Sequence, residues 1–305
     1  MLPLAARLGR GRQGSIFQRR EILRGCIRCL SSSTQKGSEG KVVVITSGKG
    51  GVGKTTTAAS FAYGLAMKGH KTCVIDFDIG LRNLDIHLGC ERRVIFDFVN
   101  VIQEECTLGQ ALIQDRRNPN LYLLAASQTK DKEALSAEGV SRVIKELQES
   151  FHFVVADSPA GIESGARHAM YLADYAIIVT NPELSSCRDS DKMVGFIASK
   201  SRRAELGQEP VQQTLLVTRY DAGRAAQDDM LRMEDIKELL GLDLIGLIPE
   251  CRSVLSSTNT GQPVILSEED AGIAYSDAVA RFLGDEREMK FTTPKPVGLL
   301  KKIFG

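Results

Sequence analysis

Lys41-Val42-Val43-Val44-Ile45-Thr46-Ser47-Gly48-Lys49-Gly50-Gly51-Val52-Gly53-Lys54-Thr55-Thr56 is the stretch that decides the fold. Val42 to Ile45 is a short β-branched run of the kind buried on both faces of a parallel sheet. Gly48 to Thr55 then fits the phosphate-loop spacing G-x-x-x-x-G-K-[ST]. A helical pattern runs from Lys54 through Lys68 and stops at Gly69, a residue type suited to a helix C-cap. Strand, glycine loop and helix is the context this motif needs. The glycines let successive backbone N–H groups wrap phosphate oxygens, and the helix N-terminus adds partial positive charge. Lys54 is expected to reach the β and γ phosphates and the Thr55 hydroxyl to ligate Mg²⁺. Gly48, Lys49, Gly50, Gly51, Val52, Gly53, Lys54, Thr55 and Thr56 form the expected ATP-binding loop.

Outward from this unit, further apolar runs lie at 72–75, 121–125, 151–156, 176–179, 214–217 and 244–248. Helical patterns separate them, among them 137–150 and 233–240. Such alternation predicts a doubly wound α/β protein, a mostly parallel sheet of about seven or more strands flanked by helices. Ligands of such sheets gather outside the carboxyl ends of the strands. Asp76 and Asp78 end one run on the same side of the strand, and Asp157 ends another. One carboxylate of the first pair would hold the Mg²⁺ water shell and the other orient the attacking water; the alternative is two solvent-facing aspartates. An apolar strand presenting an acid to the metal makes Asp157 the stronger metal-side candidate.

With Lys49 inside it, the loop resembles the deviant Walker A motif of the MinD/ParA family of P-loop ATPases. Asp76-Phe77-Asp78-Ile79-Gly80-Leu81-Arg82-Asn83-Leu84-Asp85, Gly89-Cys90-Glu91-Arg92-Arg93 and Asp157-Ser158-Pro159-Ala160-Gly161-Ile162-Glu163 look like the switch segments of its MinD branch. Asn181-Pro182-Glu183, Ser199 to Arg203, Thr218-Arg219-Tyr220 and Ile248-Pro249-Glu250 extend the likeness over essentially 41–305. The resemblance implies that Lys49 acts on nucleotide across an ATP-sandwich homodimer and that Glu183 meets the nucleotide from the facing subunit. It implies that Asp78 positions the hydrolytic water, that Asp76 works on the Mg²⁺ and switch side, and that Arg219, Pro249 and Glu250 lie near the adenine. Lys49, Lys54 and Asp78 are then the catalytic candidates, and Thr55, Asp76 and Asp157 the Mg²⁺ candidates. The implied partners are an anionic membrane surface, a MinE-like activator and a MinC-like or plastid-specific division inhibitor, with the FtsZ ring reached through them. Cys187 and Cys251 stand where the family would carry other residues.

The 305 residues suit one main domain with tails, 43% hydrophobic and 25% charged, and a net charge of +1 gives no general argument for nucleic-acid binding. No nucleic acid is expected as a partner. Residues 1–39 carry seven arginines against Glu21 and Glu39, with serines at Ser31, Ser32 and Ser33, the composition of an organelle transit peptide. The ATPase domain is expected over 40–288. Placement in the chloroplast, peripheral on the inner envelope, follows from such a leader on a MinD-like body; the mitochondrion is the alternative. Met289 to Pro296, with Pro294, reads as a linker. Beyond it, at ~100° per residue, Val297, Leu299, Leu300, Ile303 and Phe304 share an arc of roughly 160° opposite Lys301 and Lys302, an amphipathic membrane-targeting helix. No apolar run reaches the roughly 18 to 20 residues that a spanning helix needs.

Two other readings stay open at this stage within the fold, a ParA-like DNA-partitioning ATPase and an Mrp-like iron–sulfur carrier, and a third is a scaffold binding ATP only as a structural ligand. The carrier would present paired cysteines from its body, whereas the one C-x-x-C pair here, Cys26 and Cys29, lies in the leader. A DNA partitioner would use a basic patch such as Lys200, Arg202 and Arg203. The other five cysteines are expected to be reduced thiols, mostly filling core.

Overall fold

The computed structural model describes residues 39–294. The leader before Glu39 and the tail Val297–Phe304 lie outside the described residues. Eight strands form one sheet in the order β3-β4-β2-β5-β1-β6-β7-β8. They are β1 (Lys41–Thr46), β2 (Thr72–Asp76), β3 (Ile113–Gln114), β4 (Leu121–Leu124), β5 (Phe153–Asp157), β6 (Tyr175–Thr180), β7 (Gln212–Tyr220) and β8 (Asp243–Pro249). Every neighbouring pair is parallel except β3 with β4. The expected doubly wound sheet is present; the two-residue antiparallel edge strand β3 is too short to show an alternation in the sequence.

β1 runs through the middle, between β5 and β6. Its side chains alternate between two cores: Val43 and Ile45 join the one formed with α1 (Lys54–Met67), while Val42 and Val44 face the other, against α2 (Ala137–Ser150). Burial on both faces is why the run is continuously apolar. α1 itself is enclosed nearly all round, so it uses small residues on its crowded side. A Cβ on Gly64 would come within 2.6 Å of Ile265 Cδ1 and 2.8 Å of Val279 Cγ2. The remaining longer helices are α3 (Ser164–Tyr171), α4 (Leu184–Lys200), α5 (Met233–Leu240), α6 (Arg252–Asn259) and α7 (Asp270–Phe282). α2 and α5 have the bounds read from sequence, and α1 stops one residue short of Lys68. Cys73, Cys90 and Cys187 are buried thiols, whereas Cys106 and Cys251 are half-buried.

After α7 the chain returns along the β8 edge. Arg281 donates to the carbonyls of Ile245 (2.7 Å), Arg287 (3.0 Å) and Glu288 (2.5 Å), and Lys290 pairs with Asp277 at 2.8 Å. Met289 packs on one core and Phe291 on another, so this segment covers an otherwise open strand edge. No helix among the described residues is long and apolar enough to cross a membrane.

Candidate nucleotide and metal site

The loop between β1 and α1 lies at the carboxyl edge of the sheet, flanked by the ends of β5 and β6. Gly51 and Gly53 have φ of 75° and 93°, a region that costs an L side chain. Gly48 is required for another reason: a Cβ there would sit 2.2 Å from the Asp189 main chain on α4. The N-terminus of α1 has no side-chain cap and no acid in its first turn, so its N–H groups keep their capacity for an anion. Thr218 fastens the loop from behind, donating to Val52 O at 2.7 Å and meeting Asn181 Oδ1 at 2.8 Å.

Lys54 is buried and donates to Ser47 Oγ at 3.0 Å. Burial lowers its pKa, and the charges of Asp157 and Asp78 oppose that. Asp157, the last residue of β5, is buried and hydrogen-bonds through its carboxyl with Thr55. Its Oδ1 is enclosed without a hydrogen-bond partner. Burial and the neighbouring Asp76 push its carboxyl well above the ordinary range. An orphaned carboxylate oxygen beside a loop threonine fits Mg²⁺. Among the described residues no three metal-ligating side chains converge, so such an ion would complete its shell from phosphate oxygens and water.

Asp76 turns to the segment that follows β2. Its Oδ1 accepts Asp78 N–H at 2.9 Å, and its Oδ2 accepts those of Asn83 and Leu84 at 3.2 Å each. One carboxylate thus closes the segment 77–84, which carries the half-buried Asp78 past the strand end. Arg82 in that segment adopts φ 44° and pairs with buried Asp85 at 2.8 Å. Burial outweighs the three donors at Asp76 and, with the Asp78 charge, pushes its carboxyl up to about 7. A carboxyl raised from about 3.9 when unfolded favours the fold while protonated, and that contribution is lost as pH rises through 7. Without nucleotide or Mg²⁺, the Tm should therefore fall between pH 5 and pH 7 and level off above that, and Mg·ADP should shrink the fall. Melting curves in EDTA whose midpoint climbs over this range would refute it.

Lys49 and Glu183 meet on the surface at 2.9 Å, their side chains 43% and 54% exposed. A pair this exposed contributes about 0–1 kcal/mol, so little holds Lys49 back from a stronger anion. Thr56 contacts His87 Nε2 at 3.3 Å, linking α1 to the short helix Leu84–His87. Arg219 (φ 55°), Pro249 and Glu250 come together at the carboxyl ends of β7 and β8, where Tyr220 is in register with Pro249. The basic trio is divided: Arg203 pairs with Asp174 and donates to Glu209 O, leaving Lys200 and Arg202 on the surface.

Residues 40–205 match the family described as AAA domain. The chain is 60% identical over 267 residues to the septum site-determining protein MinD of Escherichia coli K12, spanning 87% of this chain and 99% of that one. It belongs to the MinD family of P-loop ATPases. The MinD of the MinC:MinD cell division complex of Aquifex aeolicus superposes with a TM-score of 0.73 at 37% identity, over 82% of this chain and 98% of that one. MinD from Pyrococcus horikoshii, solved with Mg-ADP, gives a TM-score of 0.69 at 27% identity over 79% of this chain and 95% of that one.

The structure brings the MinD-like loop, Asp76, Asp78 and Asp157 to one place, with Glu183 against Lys49 and the Arg219, Pro249 and Glu250 group at the neighbouring strand ends. Sequence reasoning missed Ser47, Thr218 and Asn181 as supports of the loop. Nothing in their residue types separates them from ordinary strand-end polar groups; only the adjacency of β1, β6 and β7 reveals their part.

Proposed function

We propose that this MinD-family chain is an Mg²⁺-dependent ATPase that dimerises on ATP, binds an anionic membrane and positions the division site in a plastid. The observation that carries the reading is the convergence of Lys54, Thr55 and the orphaned Asp157 oxygen at a glycine loop that also presents an exposed Lys49. Lys54 neutralises the β and γ phosphates, Thr55 and Asp157 hold Mg²⁺ with Asp76 behind them, and Asp78 orients the attacking water. The backbone of 48–54 and Thr56 cradles the phosphates; Arg219, Pro249 and Glu250 border the adenine. The leader 1–39 delivers the chain to the organelle, body 40–288 turns over ATP, and 289–305 supplies linker and tail. A MinC-like or plastid-specific inhibitor and a MinE-like activator are the protein partners, and FtsZ is affected through them. The mitochondrion is the second destination.

Turnover with anionic vesicles and with duplex DNA is the test. Stimulation by vesicles supports the membrane switch; stimulation by DNA alone, lost at higher salt, would replace it with a partitioning role.

ATP should drive dimerisation where ADP does not, since only the γ-phosphate offers Lys49 of a facing subunit a charge to engage. Leu81, Ile162 and Leu184, exposed at the same carboxyl edge, would be covered in that dimer. Light scattering of Asp78→Ala in saturating Mg·ATP checks this, and a persistent monomer would sink it.

The tail is shorter than the roughly 12 to 15 residues needed for marginal helicity in water, so one copy binds a bilayer weakly. Two tails on one dimer gain about 10² to 10⁴ in avidity. Deleting Val297 onward, or Phe304→Glu, should release the protein from anionic vesicles while ATP-driven dimerisation persists. Cosedimentation equal with ADP and ATP would return the tail to a packing role.

A further inference from the structure

Arg117, in the turn between β3 and β4, makes contacts that the nucleotide site as described does not use. Asp115 fixes it: Asp115 Oδ1 accepts Arg117 N–H at 2.7 Å and Nε at 3.3 Å, and Oδ2 accepts Nη2 at 2.8 Å. The guanidinium lies over the Tyr63 ring of α1, 5.7 Å from its centroid. From this seat Nη2 donates to Leu88 O at 2.7 Å and Nη1 to Gly261 O at 2.9 Å.

Those two carbonyls end the two stretches that, on the proposed function, form opposite walls of the nucleotide site. Leu88 closes the stretch that begins at Asp76, bears Asp78 and continues through the helix Leu84–His87. Gly261 closes the stretch that begins at Pro249 and Glu250 and continues through α6. The walls touch backbone to backbone where they end. A Cβ on Gly261 would lie 2.6 Å from Gly89 Cα, and one on Gly89 would lie 2.7 Å from Gly261 O. Both residues have positive φ, 62° and 64°, so neither site accommodates a side chain without strain. One fixed guanidinium therefore bridges the two stretches where they end, beside the packing of the helix Leu84–His87 against α6.

We propose that Arg117 is a positioning residue that couples the adenine wall to the switch wall, so that the segment carrying Asp78 reaches its hydrolytic position only with the base wall seated. The inference rests on the placement of adenine beside Pro249 and Glu250 and of the γ-phosphate beside Asp78. Misplacement of a catalytic segment by a fraction of an ångström to an ångström costs up to about 10² in rate, so the expected loss on uncoupling is about tenfold in kcat. Nucleotide affinity should stay within about twofold, because the phosphate loop is untouched.

The test compares the full chain with Arg117→Ala and Arg117→Lys by ATP turnover, ADP titration and amide hydrogen exchange in ADP or a non-hydrolysable ATP analogue. In the parent, 84–90 and 258–262 should gain protection together when the analogue replaces ADP. In Arg117→Ala the analogue-dependent gain at 84–90 should be lost while ADP-dependent protection at 249–252 remains, with kcat down about tenfold and ADP affinity held. Lysine, which can serve one carbonyl, should restore part of the rate. Unchanged kcat and joint protection in Arg117→Ala would overturn the proposal. So would a loss of ADP affinity in proportion to kcat, which marks a merely structural role. If the alanine variant does not fold, Asp115→Asn loosens the guanidinium while leaving both carbonyls in place, and the same outcomes decide. Absence of any ADP-dependent protection at 249–252 in the parent would bring down the adenine placement itself, whereas uncoupling lost with that protection intact overturns only the role of Arg117.

Discussion

Lys54→Ala is expected to lower ATP affinity by about 10² to 10⁴. The lysine is buried and its own burial already disfavours its charge, so the fold maintains that ammonium at a cost. Removing one partner of a buried charge pair costs about 3 to 5 kcal/mol, at 1.36 kcal/mol per decade. The variant should still fold, because the Thr218 contacts to Val52 and Asn181, not Lys54, hold the loop to the sheet. Titration with a labelled ATP analogue checks the loss, and unaltered affinity would remove the phosphate role from this lysine.

Asp78→Ala should do the reverse, leaving ATP bound while turnover falls by about 10² to 10⁴, the usual contribution of a positioned acid–base group. Asp78 stands past the end of β2 in a segment that Asp76 closes through three backbone N–H groups. Single-turnover hydrolysis beside ATP titration separates the two effects; full turnover would transfer the water-orienting role elsewhere. Asp76→Ala makes an informative contrast: it frees three backbone N–H groups inside the protein, so it should lose both stability and turnover.

All the strands but β3, the glycine loop and helices α1, α2 and α5 were legible because their signals are local. Continuous β-branched runs mark strands buried on both faces, positive-φ positions demand glycine, and apolar residues at helical spacing mark a face. Asp157 could be placed at a strand end for the same reason, since it follows its own apolar run. Periodicity, however, carries no information about which strand lies beside which. Only the insertion of β1 between β5 and β6 brings Asp157 to Thr55, and only the placing of β5 beside β2 sets it next to Asp76. Lys49 meets Glu183 across 134 positions and Arg117 meets Gly261 across 144. The tertiary structure alone turned Asp76 into the closure of the switch segment and made Arg117 the junction of two walls. Both roles consist of bonds to backbone carbonyls or amides, groups that every residue carries and that no sequence pattern distinguishes until the chain has folded.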